Sequence, residues 1–207
     1  MPNETATRET TFGYLAMLEF AEHGYFGGYL IVSLLGRPLE FHCTAPLRPS
    51  HAQRILYGPT LEPYLLGEQI AGALLDVAKL TPSLILTNRE ATLHARPRAG
   101  APMAWLIEKP KQSESLSHPE CSSAQGASSA FCRSEIDAAT SHKAFQVGPH
   151  DLQLPFGYES EQDTVSRLVQ ELAQQLDVAE PFGRIEEAIR EAQRLGGRGA
   201  EANEQAA

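Results

Sequence analysis

The sequence predicts an α+β fold: a mostly antiparallel sheet of about six strands with one long helix packed on a face, followed by a linker and a C-terminal αα-hairpin. Three features predict this arrangement. Short apolar runs with the patterning of strands alternate with turn residues over the first half of the chain. One long segment among them has helical periodicity. Two further amphipathic segments follow a serine-rich stretch.

The first two strands are predicted from apolar and aromatic runs. Residues 13–20 form one run, and residues 29–35 form a second that is continuously apolar, as in a strand buried on both faces. The glycines of His23-Gly24 and Gly27-Gly28 predict turns between the runs. The second strand is therefore expected at the centre of the sheet.

A third strand is predicted at residues 39–45, where apolar and polar side chains alternate. The apolar set, which includes Leu39 and Cys43, is expected to face the core, so that Cys43 would be a buried and unreactive thiol. The polar set includes Glu40 and His42. Neighbouring residues of a strand point to opposite faces, which argues against His42 acting as a base for Cys43.

Helical segments follow the third strand. Ser50 is placed to cap a short helix that ends at Gly58, and the apolar and small residues of 61–80 recur at helical spacing. The longer helix is expected to lie across the sheet. Three short strands are predicted after it, at residues 83–87, 91–96 and 103–107. This layout resembles that of profilin-like and roadblock-type domains, a likeness of topology that implies no function.

The composition changes near Pro110. Nine serines and few large apolar residues lie between positions 113 and 141, which is too little apolar surface to offset the entropy of ordering that stretch. The predicted divisions are a disordered tail at 1–11, an α+β domain at 12–109, a disordered serine-rich linker at 110–150, a helical hairpin at 151–196 and a disordered tail at 197–207.

The hairpin is predicted from two amphipathic segments. The first begins at a cap formed by Ser160 and Asp163, and the second begins at Pro181 and ends at Gly196-Gly197. Two such helices cannot hide their apolar sides from each other completely. The side chains expected to bind a partner are Leu168, Leu172, Leu176, Phe182, Ile185 and Ile189.

The leading functional hypothesis from the sequence is a cytoplasmic, non-enzymatic adaptor or regulatory module. It would bind a protein partner, or a second copy of itself, through the apolar side of the hairpin. The start of the chain lacks a signal-peptide pattern, no run of 18 apolar residues occurs, and three cysteines fit a reducing compartment. Deletion of the hairpin tests whether it is instead the missing half of the first domain's core.

The charge distribution indicates which classes of partner the chain can attract. The net charge of the 207 residues is −9, and most of it belongs to the segment after residue 150, which carries 5 basic and 12 acidic side chains. Nucleic acids and anionic membranes attract basic surfaces. The sequence therefore predicts no nucleic-acid partner and no membrane partner.

An alternative hypothesis is a small-molecule enzyme or ligand-binding domain that uses the polar face of the sheet, with a hydrolase favoured over other reaction classes. The candidate ligand-binding residues are Glu40, His42, His94 and Arg96, which would cluster if their strands were neighbours. A carboxylate and a guanidinium near an imidazole can tune it for proton transfer or anion binding. The competing interpretation is a solvated sheet face. Glu68 is a further polar residue that can project into a pocket at the edge of the helix and sheet, but a solvated helix face is the favoured interpretation, because acidic residues are seldom buried without partners.

The linker contains four residues of the types that bind metal ions. Two histidines and two cysteines are spaced there as H-x2-C-x10-C-x9-H, namely His118, Cys121, Cys132 and His142. The chemistry suits zinc, but the second pair is spaced too widely for a standard finger, so the set is expected to be accidental. The sequence also lacks P-loop, dinucleotide-binding, zincin and nucleophile-elbow motifs. No metal and no cofactor are therefore predicted.

Overall fold

The computed structural model describes residues 10–21, 23–107 and 144–204. Their strands form a seven-stranded sheet in the order β3-β2-β1-β4-β5-β7-β6. The strands are β1 (Thr11–Phe20), β2 (Gly24–Ser33), β3 (Pro38–Cys43), β4 (Leu84–Thr87), β5 (Met103–Ile107), β6 (Ala144–Val147) and β7 (His150–Gln153).

The sheet is mixed rather than mostly antiparallel. Strands β1, β2 and β3 form an antiparallel meander, and β5, β7 and β6 are also joined by antiparallel pairs. Strand β4 pairs in parallel with both β1 and β5. A helical connection returns the chain across the sheet before β4, and this crossover is what parallel pairing requires. The α+β class is thus confirmed, whereas the strand number and the pairing differ from the prediction.

Four α-helices occur in the described residues: α1 (His51–Tyr57), α2 (Gly72–Val77), α3 (Gln162–Ala173) and α4 (Glu180–Glu204). Ser50 caps α1 as predicted, because its hydroxyl accepts from the Gln53 amide at 3.2 Å while the Gln53 side chain accepts from the Ser50 amide at 2.8 Å. None of the described helices is both long and apolar enough to cross a bilayer.

The helix predicted at 61–80 is divided. A π-helix (Pro63–Ala71) leads directly into α2, and Leu65, Leu66 and Ile70 bury its apolar side against the sheet. A wider helical turn changes which residues face the sheet without breaking the helical path. Segments of this kind are frequent at functional sites.

The prediction of a strand at residues 91–96 is wrong. The segment is a 3-10 helix (Glu90–Arg98) that packs against the π-helix and buries Thr92, Leu93 and Ala95. Gly67 makes this packing possible, because a Cβ atom there would lie 2.8 Å from the Ala91 carbonyl oxygen and 2.8 Å from the Cβ of His94. The helical conformation of this segment depends on its packing against the π-helix. The local sequence pattern alone does not indicate it.

Both faces of the sheet are buried. On one face the π-helix, α2 and the 3-10 helix cover a core that includes Leu15, Met17 and Ile31. On the other face α3 and α4 cover a second core built around Phe12, Tyr14 and others. The Tyr14 ring packs edge-on against Phe182 of α4, with ring centroids 5.2 Å apart.

The helices of the predicted hairpin belong to this second core. Most of the side chains expected to bind a partner are buried, and Leu176 packs against the same core. They are Leu168 (5% exposed), Leu172 (0%), Phe182 (6%), Ile185 (0%) and Ile189 (2%). The apolar sides of α3 and α4 are covered by the sheet, because a sheet with two apolar faces needs a helical layer on each. The stripe is therefore unavailable to a partner.

The described chain also crosses the predicted domain boundaries. Residues 144–147, assigned to the linker, form β6 at the edge of the sheet. Helix α4 continues through Gly196-Gly197 to Glu204, beyond its predicted end. Each glycine costs a helix only about 1 kcal/mol relative to alanine, which is too little to end a helix of this length. The four candidate zinc ligands of the linker lie outside the described residues.

The Gly27-Gly28 pair does not form a turn but lies within β2. The two residues point to opposite faces of the sheet. A Cβ on Gly27 would lie 2.2 Å from Ile70 of the π-helix, and a Cβ on Gly28 would lie 2.3 Å from Ile185 of α4. Glycine at both positions lets a helical layer approach each face of the strand closely.

The two faces of β3 are also reversed from the expectation. Leu39 and Phe41 are 41% and 40% exposed, and Cys43 is exposed as well, so the prediction of a buried thiol is wrong. Glu40 and His42 are instead half-buried on the side of α2. The reason is that β3 is an edge strand, where the helical layers leave its apolar side chains partly uncovered.

Candidate active site

The parallel strands create a cleft at one edge of the sheet. In open sheets, ligands commonly bind outside the carboxyl ends of parallel strands, where the strand order reverses. Here that point lies between β1 and β4, and a cleft of about 600 Å³ is found there. We call it the carboxyl-edge cleft. Its polar and aromatic lining includes Glu19, Asn88, Arg89, Trp105, Glu186 and Arg190.

Asn88 fixes the floor of the carboxyl-edge cleft. Its Oδ1 accepts a hydrogen bond from the Met17 amide at 2.8 Å, and its Nδ2 donates to the Met17 carbonyl at 3.3 Å. The side chain thus continues the pairing of β1 with β4 one step beyond Thr87, where the backbone ladder ends. Because both ends of the amide are bonded to main chain, Asn88 holds the two strand ends together.

The charged groups of the cleft are partly paired. Glu186 accepts from Arg190 one turn along α4, and Arg89 lies 4.0 Å from the carboxylate of Glu62. Desolvation raises the pKa of the neighbouring Tyr25, and the charge of Glu19 and its hydrogen bond to the tyrosine raise it further. The side chains of Arg89 and Arg190 are 45% and 63% exposed, so part of each guanidinium group remains accessible to an anionic ligand.

A second, open pocket lies at the π-helix and shares no lining residue with the cleft. It measures about 450 Å³ and is lined by Tyr57, Thr60, Pro63, Tyr64, Glu68 and His94. We call it the tyrosine pocket, because the rings of Tyr57 and Tyr64 stack with centroids 4.4 Å apart and planes inclined by 24°. A hydrogen bond with Tyr64 raises the pKa of Tyr57. The pair of Arg89 with Glu62, the residue before Pro63, connects this pocket to the cleft.

The orientation of His94 is set by its own helix. Its Nδ1 lies 3.2 Å from the Ala91 carbonyl oxygen, and a carbonyl can only accept, so Nδ1 carries the proton. In the neutral ring Nε2 then has the lone pair and can take up a proton. Glu68 lines the same pocket from the π-helix. The pocket therefore combines a carboxylate, an imidazole and an aromatic surface.

Glu40 and His42 have a structural role. His42 Nε2 lies 2.7 Å from the Glu40 carboxylate, which also accepts from the amides of Lys79 at 2.8 Å and Leu80 at 2.9 Å. These bonds tie β3 to the segment that follows α2. Desolvation raises the pKa of the Glu40 carboxyl, but the hydrogen bonds from His42 and from the two amides outweigh it, so the pKa is lowered overall.

We expect Glu40→Gln to destabilise the protein by about 1 to 3 kcal/mol at neutral pH, because an amide cannot accept all of these bonds. A lowered pKa in the folded state stabilises the fold above the unfolded pKa, and this contribution is lost as the pH falls through the folded value. The difference between wild type and variant in urea unfolding should therefore shrink between about pH 7 and about pH 3. A difference that is constant over this range would contradict the expectation.

Arg96 also has a structural role. Its guanidinium pairs with Glu161 and lies over the ring of Tyr158, 4.4 Å from the centroid, and it donates to the Ala99 carbonyl at 3.0 Å. These contacts join the 3-10 helix to the segment before α3. Of the four residues proposed as one ligand cluster, Glu40 and His42 contact each other on β3, whereas His94 and Arg96 lie on a helix. Only His94 lines one of the two cavities described here.

Sequence reasoning considered Glu68 and His94 separately, for a helix edge and a strand face, and missed the carboxyl-edge cleft. The cleft depends on the parallel pairing of β4, which the sequence did not predict. A signal was present in Asn88-Arg89 directly after a buried strand, together with the single tryptophan of the chain, Trp105. Within the described ranges, no group of three or more histidine, cysteine, aspartate or glutamate side chains is placed to hold a metal ion.

No family model and no curated protein matches the chain. Among solved structures, human ENDOV matches with a TM-score of 0.50 and 12% sequence identity, over 92% of this chain and 87% of that one. The chain therefore shares its fold with human ENDOV. The enzyme of Ciona intestinalis, solved with a DNA 23mer that contains an inosine, matches over 52% of this chain and 51% of that one, with a TM-score of 0.31 and 13% identity.

This likeness corrects two expectations from the sequence. The interpretation as a non-enzymatic adaptor for protein–protein interaction is wrong, because the chain shares its fold with an endonuclease and the stripe meant for the partner lies in the core. The exclusion of nucleic acid is wrong for the same reason. Net charge is an average over the whole chain, whereas binding depends on the charges that line one site.

Proposed function

We propose that this protein is a nucleic-acid hydrolase. The observation that carries the proposal is the presence of Glu68 and His94 in one pocket, which the pair of Arg89 with Glu62 links to a cleft with two arginines, in a chain whose fold resembles that of an endonuclease. This retains the hydrolase alternative from the sequence but moves the site away from Glu40 and His42. The expected cytoplasmic location and the lack of a resident cofactor remain predictions.

The carboxyl-edge cleft would position the substrate. Arg89 and Arg190 lie at its rim with exposed guanidinium groups, and such groups bind phosphate oxygens in a bidentate manner. Phosphate contacts fix the register of a nucleic acid without reading its sequence. A strand held at Arg89 would pass the tyrosine pocket, because Arg89 is paired with Glu62 at that pocket's border.

The chemistry assigned to the tyrosine pocket is general base catalysis. His94 Nε2 takes a proton from a water molecule, and Glu68 accepts the second hydrogen of that water and orients it. The water oxygen forms a bond to phosphorus as the bond from phosphorus to the leaving oxygen breaks. The leaving oxygen takes up a proton from solvent, and His94 later releases its own.

The proposal predicts cleavage of labelled oligonucleotides by the purified full-length chain. DNA and RNA should be assayed with Mg²⁺, with Mn²⁺ and with chelator. We expect His94→Gln and Glu68→Gln to lower the cleavage rate by about 10²- to 10⁴-fold, the usual contribution of a general acid or base. Binding measured by fluorescence anisotropy should change little, because neither residue is assigned to phosphate contacts.

The matched control is His51→Gln, which changes an exposed histidine at the start of α1. It should cleave at the wild-type rate and exclude a general effect of losing an imidazole. Failure of the wild-type protein to cleave any substrate under all three metal conditions would overturn the proposal. Equal cleavage by wild type and His94→Gln would overturn the assignment of the base.

A further inference from the structure

We infer that the ligand of the carboxyl-edge cleft is a single-stranded nucleic acid, held by an unpaired base that stacks on Trp105. The inference rests on the proposed function, since it names the substrate class of the same site. Three observations support the inference: the charge balance of the cleft, the size of the cleft and the position of the Trp105 ring.

The charges of the cleft are balanced. Arg89 and Arg190 contribute two positive charges, and Glu19 and Glu186 contribute two negative ones. Duplex binding draws most of its free energy from neutralising many phosphates with a broad basic surface. This cleft can engage about two phosphates through its arginines, on a chain whose net charge is −9. Affinity must therefore come largely from contacts other than charge.

Trp105 offers such a contact. It lies on β5 beside Thr87, the last residue of β4, and its ring is partly buried against the core while it also lines the cleft. A ring fixed in this way loses little entropy when a base stacks on it. Stacking of a base on an aromatic side chain is worth about 1 to 3 kcal/mol and tolerates any sequence.

The size of the cleft points to the same ligand. Its volume of about 600 Å³ lies within the range of about 300 to 1,000 Å³ that is typical of small-molecule sites, so it admits a nucleotide or two. The clamp between Asn88 and Met17 holds its floor closed. Bases within a duplex are already paired and stacked, and unstacking them costs a few kcal/mol. A single strand presents its bases without that cost.

Intrinsic fluorescence tests the inference directly, because Trp105 is the only tryptophan of the chain. We expect a short single strand of DNA or RNA to quench the emission, with the same midpoint as binding measured by anisotropy. The same sequence as a duplex should bind at least tenfold more weakly. With two arginine contacts, the slope of log affinity against log salt should be about −1.4 for the single strand.

Two substitutions at Trp105 separate the loss of binding from a loss of folding. Trp105→Ala should weaken single-strand binding by roughly 5- to 150-fold, the equivalent of losing one stacked base. Trp105→Leu retains apolar bulk against the core and should weaken binding similarly, with an unchanged circular dichroism spectrum. The matched control is Phe156→Ala, which removes an aromatic ring that is 74% exposed outside the cleft and should bind as wild type does.

The outcomes separate this inference from the proposed function. Duplex binding as tight as single-strand binding would overturn the inference while leaving the hydrolase proposal intact. Binding without any change in tryptophan emission, or unchanged binding by Trp105→Leu, would do the same. Loss of cleavage activity in all assays together with tight, quenching single-strand binding would overturn the hydrolase proposal alone. If no nucleic acid binds, both fail.

Discussion

Replacing Ile185 by aspartate should leave most of the protein unfolded at room temperature. Ile185 is fully buried between α4 and the sheet, directly above Gly28. The substitution removes an apolar side chain worth about 1.5 to 3 kcal/mol and places a carboxylate in an apolar core. Burying an unpaired charge adds several kcal/mol more. The sum is comparable with the roughly 5 to 15 kcal/mol that stabilises a typical domain.

Soluble yield and thermal unfolding followed by circular dichroism measure this effect. The control is Ala188→Asp, because Ala188 lies on the exposed side of the same helix. It should cost about 1 kcal/mol or less, from helix propensity alone. If α4 were an independent element that binds a partner, Ile185→Asp would remain folded and would only lose that partner. A folded, cooperative Ile185→Asp protein would therefore contradict the two-layered core described here.

The second large effect is expected at Gly28. A Cβ atom there would lie 2.3 Å from Cγ2 of Ile185 and 3.0 Å from Cδ1 of Ile189, so α4 must move away from β2 to admit it. We expect Gly28→Ala to destabilise by about 1 to 3 kcal/mol, the usual cost of overpacking, and Gly28→Val to cost more. Chemical denaturation with urea gives both values if the slope of the transition stays constant.

Gly183→Ala is the matched control for this prediction. Gly183 lies on α4, and a Cβ atom there meets no atom within 4 Å, so alanine should stabilise the helix by up to about 1 kcal/mol. Combining Gly28→Ala with Ile185→Ala should cost less than the sum of the two single changes, because the smaller side chain makes room for the new methyl group. Strict additivity would show that Gly28 and Ile185 do not share the contact.

The candidate site was only partly predictable from the sequence. Glu68 was considered for a pocket, although a solvated face was favoured for it, and His94 was placed on the polar face of a strand; the structure has both as exposed residues that line the tyrosine pocket. The reason given for His94, a strand shared with Arg96, was wrong, since that segment is a 3-10 helix. Trp105 was assigned to a strand correctly. Its position beside Asn88 followed only from the parallel pairing of β4 with β5.

Local features of the chain were determined by the sequence alone. Apolar runs gave β1, β2, β4 and β5, and helical periodicity gave α3 and the start of α4. The cap at Ser50 was also predicted from the sequence, because its hydrogen bonds join residues that are three positions apart. Interactions of this kind are completed within one or two turns of chain, so the residues that decide them are adjacent in the sequence.

The tertiary structure decided what those elements contact. Whether Gly27-Gly28 bends or stays extended depends on two helical layers whose residues, Ile70 and Ile185, are far away in the sequence. Whether the stripe of α3 and α4 meets a partner or the sheet depends on which sheet face the first half leaves open. Burial is a property of the assembled layers and periodicity is a property of the chain, so a pattern shows that a face is apolar but does not show what covers it.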